Sequence, residues 1–335
     1  MNKKFIWLSA FFISALLVFV LAYFIYIKSP LDIDEDKLFR VKKGETGYEI
    51  INNLVECGIV KNKFFFKIMV KLKGEDKRII PGFYLARKNE SPESFWKRLL
   101  KGEVEKYKLT VPEGYNVYQI AELVENSKLG KKSQFLKLVK DRDFIYSLGL
   151  DVPSLEGYLF PSTYYFMLDA KEEDVIKEMF NKMMQVLYKD IGIPEKTSKK
   201  KIHEILTIAS MVEKEARDKR EMPLISAVFH NRKRLGMKLQ CDPTVIYGLN
   251  NFDGNLTKKH LSSKHAYNTY VHYGLPPTPI ANPSKEAIVA AYKPAEVDYL
   301  YFVSKNDGTH IFSKTLKEHN KAVTKYQKKI KKEES

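Results

Sequence analysis

Ile202-His203-Glu204-Ile205-Leu206-Thr207-Ile208-Ala209-Ser210-Met211-Val212-Glu213-Lys214-Glu215-Ala216 is the stretch on which the fold of this chain turns. At about 100° per residue, Ile205, Ile208, Ala209, Val212 and Ala216 centre one face, and Lys214 points directly away from it. The spacing predicts a central amphipathic helix over 202–216. Glu213 and Glu215 then lie about 80° to either side of the apolar centre. Lost hydration at the edge of buried surface disfavours a charged carboxylate and raises its pKa, as an acid working near neutral pH requires. Periodicity does not choose between the two, and two surface glutamates with their stems along the core fit the pattern as well.

Outward from this helix the chain alternates helices with loops rich in amides and aromatic rings. Downstream, a helix over Pro223 to Arg234 carries Asn231 and Arg232 near its end. Leu239-Gln240-Cys241-Asp242-Pro243-Thr244-Val245-Ile246-Tyr247-Gly248 reads as a strand or loop broken by Pro. Ala266-Tyr267-Asn268-Thr269-Tyr270 and Gly274-Leu275-Pro276-Pro277-Thr278-Pro279-Ile280 follow, the second too rich in Pro for regular helix. Upstream, Leu109-Thr110-Val111-Pro112-Glu113-Gly114 is a strand end and turn before an amphipathic helix through Val117, Ile120, Ala121 and Val124. Leu155-Glu156-Gly157-Tyr158-Leu159-Phe160-Pro161 is an aromatic loop that either walls a cleft or plugs the core, and it introduces a helix over Glu172 to Tyr188. Tyr faces stack on pyranose rings, and Gln and Asn offer both donor and acceptor to hydroxyls, so such loops suit a sugar.

The amino-terminal end fixes the compartment. No charged residue interrupts Phe5 to Ile27, which at about 1.5 Å per residue is enough to cross a ~30 Å hydrocarbon core. A cleaved signal would have a shorter apolar stretch and a small-residue cleavage site, whereas Ala22 here leads into Tyr23-Phe24-Ile25-Tyr26-Ile27. Lys3 and Lys4 precede the span, and only Lys28 follows before the acidic stretch Asp32 to Asp36, which predicts a cytoplasmic amino terminus. About 300 residues lie beyond, a two-domain length. Among the 335 residues, 57 Lys and Arg outweigh 41 Asp and Glu for a net charge of +16. The basic residues are scattered, with clusters only at Lys199-Lys200-Lys201 and in the tail from Lys328 to Lys332, which reads as a solvated basic surface. Their place outside the cytoplasm disfavours nucleic acid as a partner. Cys57 and Cys241 are far apart and read as two isolated buried thiols; no disulfide scaffold is implied.

Leu38 to Glu103 has a pattern of its own. Phe39 to Val41 is a strand candidate, Gly44-Glu45-Thr46 a turn and cap, and Tyr48, Ile50, Ile51, Leu54 and Val55 have helical spacing. A helix over Lys63 to Leu72, the turn Pro81-Gly82 into Phe83-Tyr84-Leu85, and a helix over Pro92 to Leu100 complete a small α+β module. Its order resembles LysM-type glycan-binding modules, and a plain spacer fits it equally.

Taken together, the amino-terminal span, Val111-Pro112-Glu113-Gly114, the Leu155 to Pro161 loop, Ala209 to Glu215, Leu239-Gln240 with Asp242-Pro243-Thr244-Val245, Tyr267 to Tyr270, Gly274 to Pro277 and Tyr299-Leu300-Tyr301-Phe302-Val303 resemble the endolytic murein transglycosylases of the YceG-like family. The order matches over nearly the whole chain. The resemblance implies an α+β protein divided as follows: cytoplasmic 1–4, a transmembrane helix at 5–27, a linker at 28–37, a LysM-like module at 38–104, a catalytic domain with a central catalytic helix at 105–325, and a basic tail at 326–335. It implies a single-pass inner-membrane lyase with extracytoplasmic domains that cuts nascent peptidoglycan glycan strands and leaves 1,6-anhydro-N-acetylmuramic ends, in association with the wall-synthesis machinery. In the family's motif the second glutamate of Glu-Lys-Glu is catalytic, which maps onto Glu215. Gln240, Asp242, Tyr267 and Asn268 become substrate-binding or orienting candidates, with Glu213 and Glu156 beside them. Ser162 stands where Asp is usual, Cys241 where Ser or Thr is usual, and Thr278 where Gly is usual, which puts the loop hydrogen bonds in doubt.

A single acid suffices for such a reaction, because the muramic acid's own 6-hydroxyl attacks C1. A muramidase-type hydrolase, which needs a second group to act on water, and a non-enzymatic wall-binding anchor are the alternatives. His203-Glu204 has no second His at zinc-protease spacing, and the other histidines show none either, so neither metal nor cofactor is expected.

Overall fold

The computed structural model describes residues 3–73, 79–249 and 252–328; the end of the expected basic tail, 329–335, lies outside them. The chain is a mixed α+β protein that divides into two compact units. The first is Met1–Tyr107 with Tyr165–Asp169, the second Lys108–Tyr164 with Ala170–Ser335.

In the first unit, α1 (Lys3–Lys28) is the long apolar helix, uncharged from Phe5 to Ile27 and long enough to cross a membrane. Then come β1 (Lys37–Val41), α2 (Gly47–Glu56), α3 (Lys63–Leu72), β2 (Gly82–Ala86) and α4 (Pro92–Lys101). Thr46 starts α2 as a capping box: its hydroxyl accepts from the Glu49 N–H while the Glu49 carboxylate accepts from the Thr46 N–H. Ser91 caps α4 with Pro92 in the first turn, where a missing N–H costs nothing. β1 and β2 pair antiparallel with Phe39 opposite Tyr84. Their inner faces and the two helices between them enclose Phe39, Leu54, Phe66, Tyr84, Phe95, Trp96 and Leu99.

Glu93 is the electrostatic knot of this unit. Its largely buried carboxylate meets Lys28 at 2.7 Å, Lys73 at 2.6 Å and Lys97 at 3.2 Å. Lys28 first, then Lys73, hold it down to about 2. Cys57 is exposed and Cys241 buried, and both thiols are free, which corrects the expectation of two buried ones. Cys57 follows the last turn of α2 on its solvent side, and only Cys241 faces a core.

β3 (Lys106–Thr110) and β4 (Thr163–Met167) form a second two-stranded sheet, and the division between the units falls inside both strands. The second unit continues with α5 (Val117–Asn126), α6 (Lys132–Leu138), α7 (Arg142–Ser147), α8 (Glu172–Gln185, widening into a π-turn to Asp190) and α9 (Lys199–Glu215). After it come α10 (Met222–Arg234), α11 (Asp242–Tyr247), α12 (Lys258–Leu261), α13 (Lys285–Tyr292), the hairpin β5 (Tyr301–Ser304) and β6 (His310–Ser313), and α14 (Leu316–Val323).

Two local expectations change. The segment read as a strand or loop around Pro243 is the helix α11. Pro243 sits in its first turn, where the ring replaces a donor that no helical acceptor would meet. And α9, expected as a central amphipathic helix, is enclosed around its whole circumference in its middle. Every residue from Ile205 to Val212 is buried, because α10, α11 and α13 pack around it. Its polar members are satisfied internally: Thr207 donates to the His203 carbonyl, and Ser210 donates to the Thr207 carbonyl while accepting the Ile280 N–H at 3.0 Å. The loop Leu155–Pro161 plugs this core, with Leu155, Glu156, Tyr158 and Leu159 fully enclosed. Gly157 has φ +82° and lies so close to the Pro279 ring that no side chain fits.

Two stability measurements test this packing. Ser210→Ala leaves the Ile280 N–H buried without an acceptor and is expected to lower unfolding free energy by about 1–3 kcal/mol in urea titrations. Because the folded pKa of Glu93 lies below the ordinary 4.5, its contribution is present above that value and lost as pH falls toward 2. Glu93→Gln should lower the melting temperature at pH 7 and flatten the acid loss of stability over that window.

Candidate active site

α9 ends where its core environment ends. Ala216 turns to extended backbone, its N–H still reaching the Val212 carbonyl, so Glu215 occupies the final helical position, half-buried. Burial is the main reason its carboxyl is pushed up to about 7; the neighbouring charge of Asp242 adds to the rise, and a hydrogen bond with the Cys241 thiol opposes it. The carbonyl end of a helix acts in the same direction as Asp242, since it repels negative charge. A carboxyl of this kind is about half protonated at pH 7 and can both give and take a proton. The Cys241 thiol is held well above its ordinary value by its own burial and by Glu215.

The segment that meets Glu215 is held from two sides. Gln240 adopts φ +51°, a left-handed conformation that costs a non-glycine residue about 1–2 kcal/mol. Its N–H donates to the Thr269 carbonyl, and its side-chain oxygen accepts from the Arg232 guanidinium at 3.2 Å. Arg232 is buried and also donates to the Leu239 and Leu300 carbonyls, with Tyr301 stacked beneath it. The Cys241 N–H donates to the Thr269 hydroxyl, and the Thr244 hydroxyl donates to the Cys241 carbonyl. Asp242 is exposed at the start of α11 and accepts from the Tyr270 hydroxyl at 2.5 Å. Burial first, then Asp242 and Glu215, keep the Tyr270 phenol protonated far above its ordinary range.

The structure thus gathers Glu215, Gln240, Cys241, Asp242 and Tyr270 in one place. Glu213, two residues before Glu215, is engaged elsewhere: its carboxylate accepts from both the N–H and the hydroxyl of Ser284, the cap of α13. Asn268 is fully buried and spends its side chain on its own loop, donating to the Leu261 and Ser263 carbonyls and accepting the Tyr270 N–H. Tyr267 donates or accepts with the Thr278 hydroxyl at 2.9 Å, and its ring packs on Tyr247 at 4.8 Å.

Glu156 forms a second, enclosed centre. Its carboxyl is fully buried and accepts from the Val117 N–H, the Tyr247 hydroxyl at 2.8 Å and the Asn282 amide at 3.1 Å. Burial raises it to about 7 against the pull of the Val117, Tyr247 and Gly157 donors. Asn282 in turn accepts the Leu159 N–H and donates to the Tyr115 carbonyl, so three loops close on one carboxyl. α11 joins the two centres, with Asp242 at its first residue and Tyr247 at its last.

Sequence reasoning did not single out Cys241, Arg232, Tyr247, Tyr270, Asn282 or Ser284 as site residues. Tyr270 and Tyr247 lie inside quoted motifs, whereas Asn282 and Ser284 stand in a turn with no periodic signal. A cleft of about 450 Å³ also opens at the other end of α9, lined by Lys200, His203, Glu204, Thr207, Lys233 and Leu275 among others. Glu204 and Glu215 are eleven positions apart, about 16 Å along the helix.

The YceG-like family matches residues 39–325 of this chain. Over 324 residues the chain is 34% identical to the endolytic murein transglycosylase of Bacillus subtilis (strain 168), covering 90% of this chain and 89% of that protein. It is 30% identical over 334 residues to the endolytic murein transglycosylase of Streptococcus pneumoniae (strain ATCC BAA-255 / R6), covering 89% of this chain and 60% of that one. The crystal structure of a YceG-like protein from Listeria monocytogenes matches with a TM-score of 0.56 and 34% identity, over 86% of this chain and 99% of that one. A family match across most of the chain and a relative aligned over nearly all of both sequences make this protein a member of the YceG-like family.

Proposed function

We propose that this protein is an endolytic peptidoglycan lytic transglycosylase with Glu215 as its acid and base. The observation that carries the reading is the carboxyl at the exit of α9, raised to about 7 by burial and by Asp242, in a chain whose relatives bear that activity in their names. The protonated Glu215 gives its proton to the oxygen of the β-1,4 bond between N-acetylmuramic acid and N-acetylglucosamine. As that bond breaks, the muramic 6-hydroxyl closes on C1, and the Glu215 carboxylate takes the hydroxyl proton. The products are a glycan ending in 1,6-anhydro-N-acetylmuramic acid and a free 4-hydroxyl on the neighbouring sugar. The proton returns to Glu215, and no water is consumed.

In this reading Asp242 keeps Glu215 protonated, Tyr270 fixes Asp242, and Arg232 and Thr269 hold Gln240 where its amide meets the sugar. Tyr267 offers a ring face at the same loop. Glu156, Glu213 and Asn268 act through the loops and the helix they hold. α1 is the single membrane-spanning helix, with a cytoplasmic amino terminus and the rest of the chain outside. The β1-α2-α3-β2 order supports a LysM-like, glycan-binding role for the first unit.

Asp242 also favours a second reading, since a carboxylate beside the acid could activate water as in a muramidase. Hydrolysis adds one water to each product, so mass spectrometry of digested glycan strands separates the two. The anhydro product is expected.

Glu215→Gln should cut the release of anhydro-muropeptides by about 10²–10⁴-fold while leaving the melting temperature close to wild type. Glu156→Gln, by contrast, should lower the melting temperature, since an amide turns a donor toward groups that already donate. Because the acid must be protonated, kcat/KM should fall as pH rises through about 7. Removing the Asp242 charge favours the ionised form of Glu215 and lowers its pKa. The alkaline limb of the profile should therefore move to lower pH in Asp242→Asn; a limb that stays in place would remove Asp242 from this role.

A further inference from the structure

One apolar surface of the first unit is used by none of these roles. α3 buries Phe66 and Met69, yet Phe64, Ile68 and Leu72 recur every four residues along a ridge outside that face, exposed at Phe64 and Leu72 and half-buried at Ile68. Phe64 is 62% and Leu72 71% exposed. Lys63, Lys67 and Lys71 make a parallel ridge directly beside it, and the Lys67 ammonium lies 4.5 Å from the ring of the exposed Tyr48. A helix at a water-facing surface carries polar residues opposite its core face. An outward apolar ridge with a basic flank belongs instead to helices that lie in a membrane surface.

The contacts of α3 with α1 say where that surface is. The Phe19 ring meets Phe64 and Phe65 at 6.3 and 5.5 Å, and Tyr23 and Tyr26 meet Phe65 at 6.1 and 5.6 Å. Glu93 pins the same pair of helices by taking Lys28 at the end of α1 and Lys73 at the end of α3. Phe5 to Phe24 covers about 30 Å of helix, one hydrocarbon thickness. Tyr23, Phe24 and Tyr26 then stand as the aromatic collar found at a membrane–water boundary. Phe19 lies four residues inside Tyr23, about 6 Å below that collar. Whatever touches Phe19 from α3 sits at that depth.

We propose that α3 is a second, interfacial membrane anchor: its Phe64-Ile68-Leu72 ridge sinks into the outer boundary of the bilayer that α1 crosses, and Lys63, Lys67 and Lys71 face anionic lipid headgroups. The inference rests on the reading of α1 as a membrane span. A depth of about 6 Å is within the range for helices that lie in this boundary. The two anchors together fix the height of the first unit above the bilayer and its rotation about α1, which a lone spanning helix leaves free.

Site-directed spin labels on the full chain, in a Cys57→Ser/Cys241→Ser background reconstituted into phosphatidylcholine vesicles with one third phosphatidylglycerol, test this directly. Labels are placed singly at Leu16, Phe64, Leu72 and Lys88, and their collision rates with oxygen and with a water-soluble nickel chelate are compared. The expected result is an oxygen-to-nickel ratio at Phe64 and Leu72 several-fold above that at Lys88 and approaching that at Leu16. A high ratio at Leu16 with Phe64 and Leu72 as nickel-accessible as Lys88 overturns the interfacial anchor and leaves the span intact. A nickel-accessible Leu16 overturns the span, and the second anchor with it. Adding K63Q/K67Q/K71Q should abolish the dependence of the Phe64 ratio on phosphatidylglycerol; an unchanged dependence removes the basic ridge from the proposal.

Discussion

From Ile205 to Val212 the helix α9 offers no face to water, and a helix of that composition is stable only when neighbours close around its whole circumference. α10, α11 and α13 supply that enclosure, and the loop that starts at Leu155 fills what they leave. The helix stops being enclosed at its last turn, and there stands Glu215. Its partial burial is thus set by the length of the apolar run: one more buried turn would strand the carboxyl in the core, and one fewer would leave it hydrated with an ordinary pKa. The buried hydroxyl of Ser210 ties this helix to Ile280 and so carries the position of α9 into the loop that bears Pro276, Pro277 and Thr278.

The two glutamates of the same turn show how neighbours divide the work of identical side chains. Glu213 meets the N–H and hydroxyl of Ser284, the cap of α13. Glu215 meets a thiol and the charge of Asp242 at the end of its own helix. One carboxyl is thereby assigned to holding α13 against α9 and the other is left able to exchange a proton. Burial raises the Glu156 carboxyl to about 7 as well, there against the pull of the Val117, Tyr247 and Gly157 donors.

The local elements were legible where periodicity or capping chemistry speaks. Thr46 with Glu49, Ser91 with Pro92, and the uncharged run from Phe5 to Ile27 each announce their structure. The periodicity of α9 was readable but its environment was not, since Thr207 and Ser210 look like surface positions until their acceptors in the preceding turn are known. Pro243 misled because the same residue breaks a strand and begins a helix, and sequence does not distinguish the two. Among the candidate residues, Glu215, Gln240 and Asp242 lie near one another. Asn268 and Glu156, substrate-binding candidates by motif, are both buried: Asn268 ties together its own loop through Leu261, Ser263 and Tyr270, whereas Glu156 meets Tyr247 and Asn282 by loop closure over long separations. No pattern of spacing encodes that closure.

Five residues from the middle of the chain, Tyr165–Asp169, belong with the first unit. Asp169 pairs there with Arg40 at 2.6 Å, and Met167 lies against the backbone of Gly82. The polypeptide therefore crosses from one unit to the other three times, at Tyr107–Lys108, Tyr164–Tyr165 and Asp169–Ala170. Neither half can be inherited or expressed as a simple cassette: a gene cut at Tyr107 yields an amino-terminal fragment missing part of itself, and a protease that nicks that link leaves the halves still joined by two covalent threads.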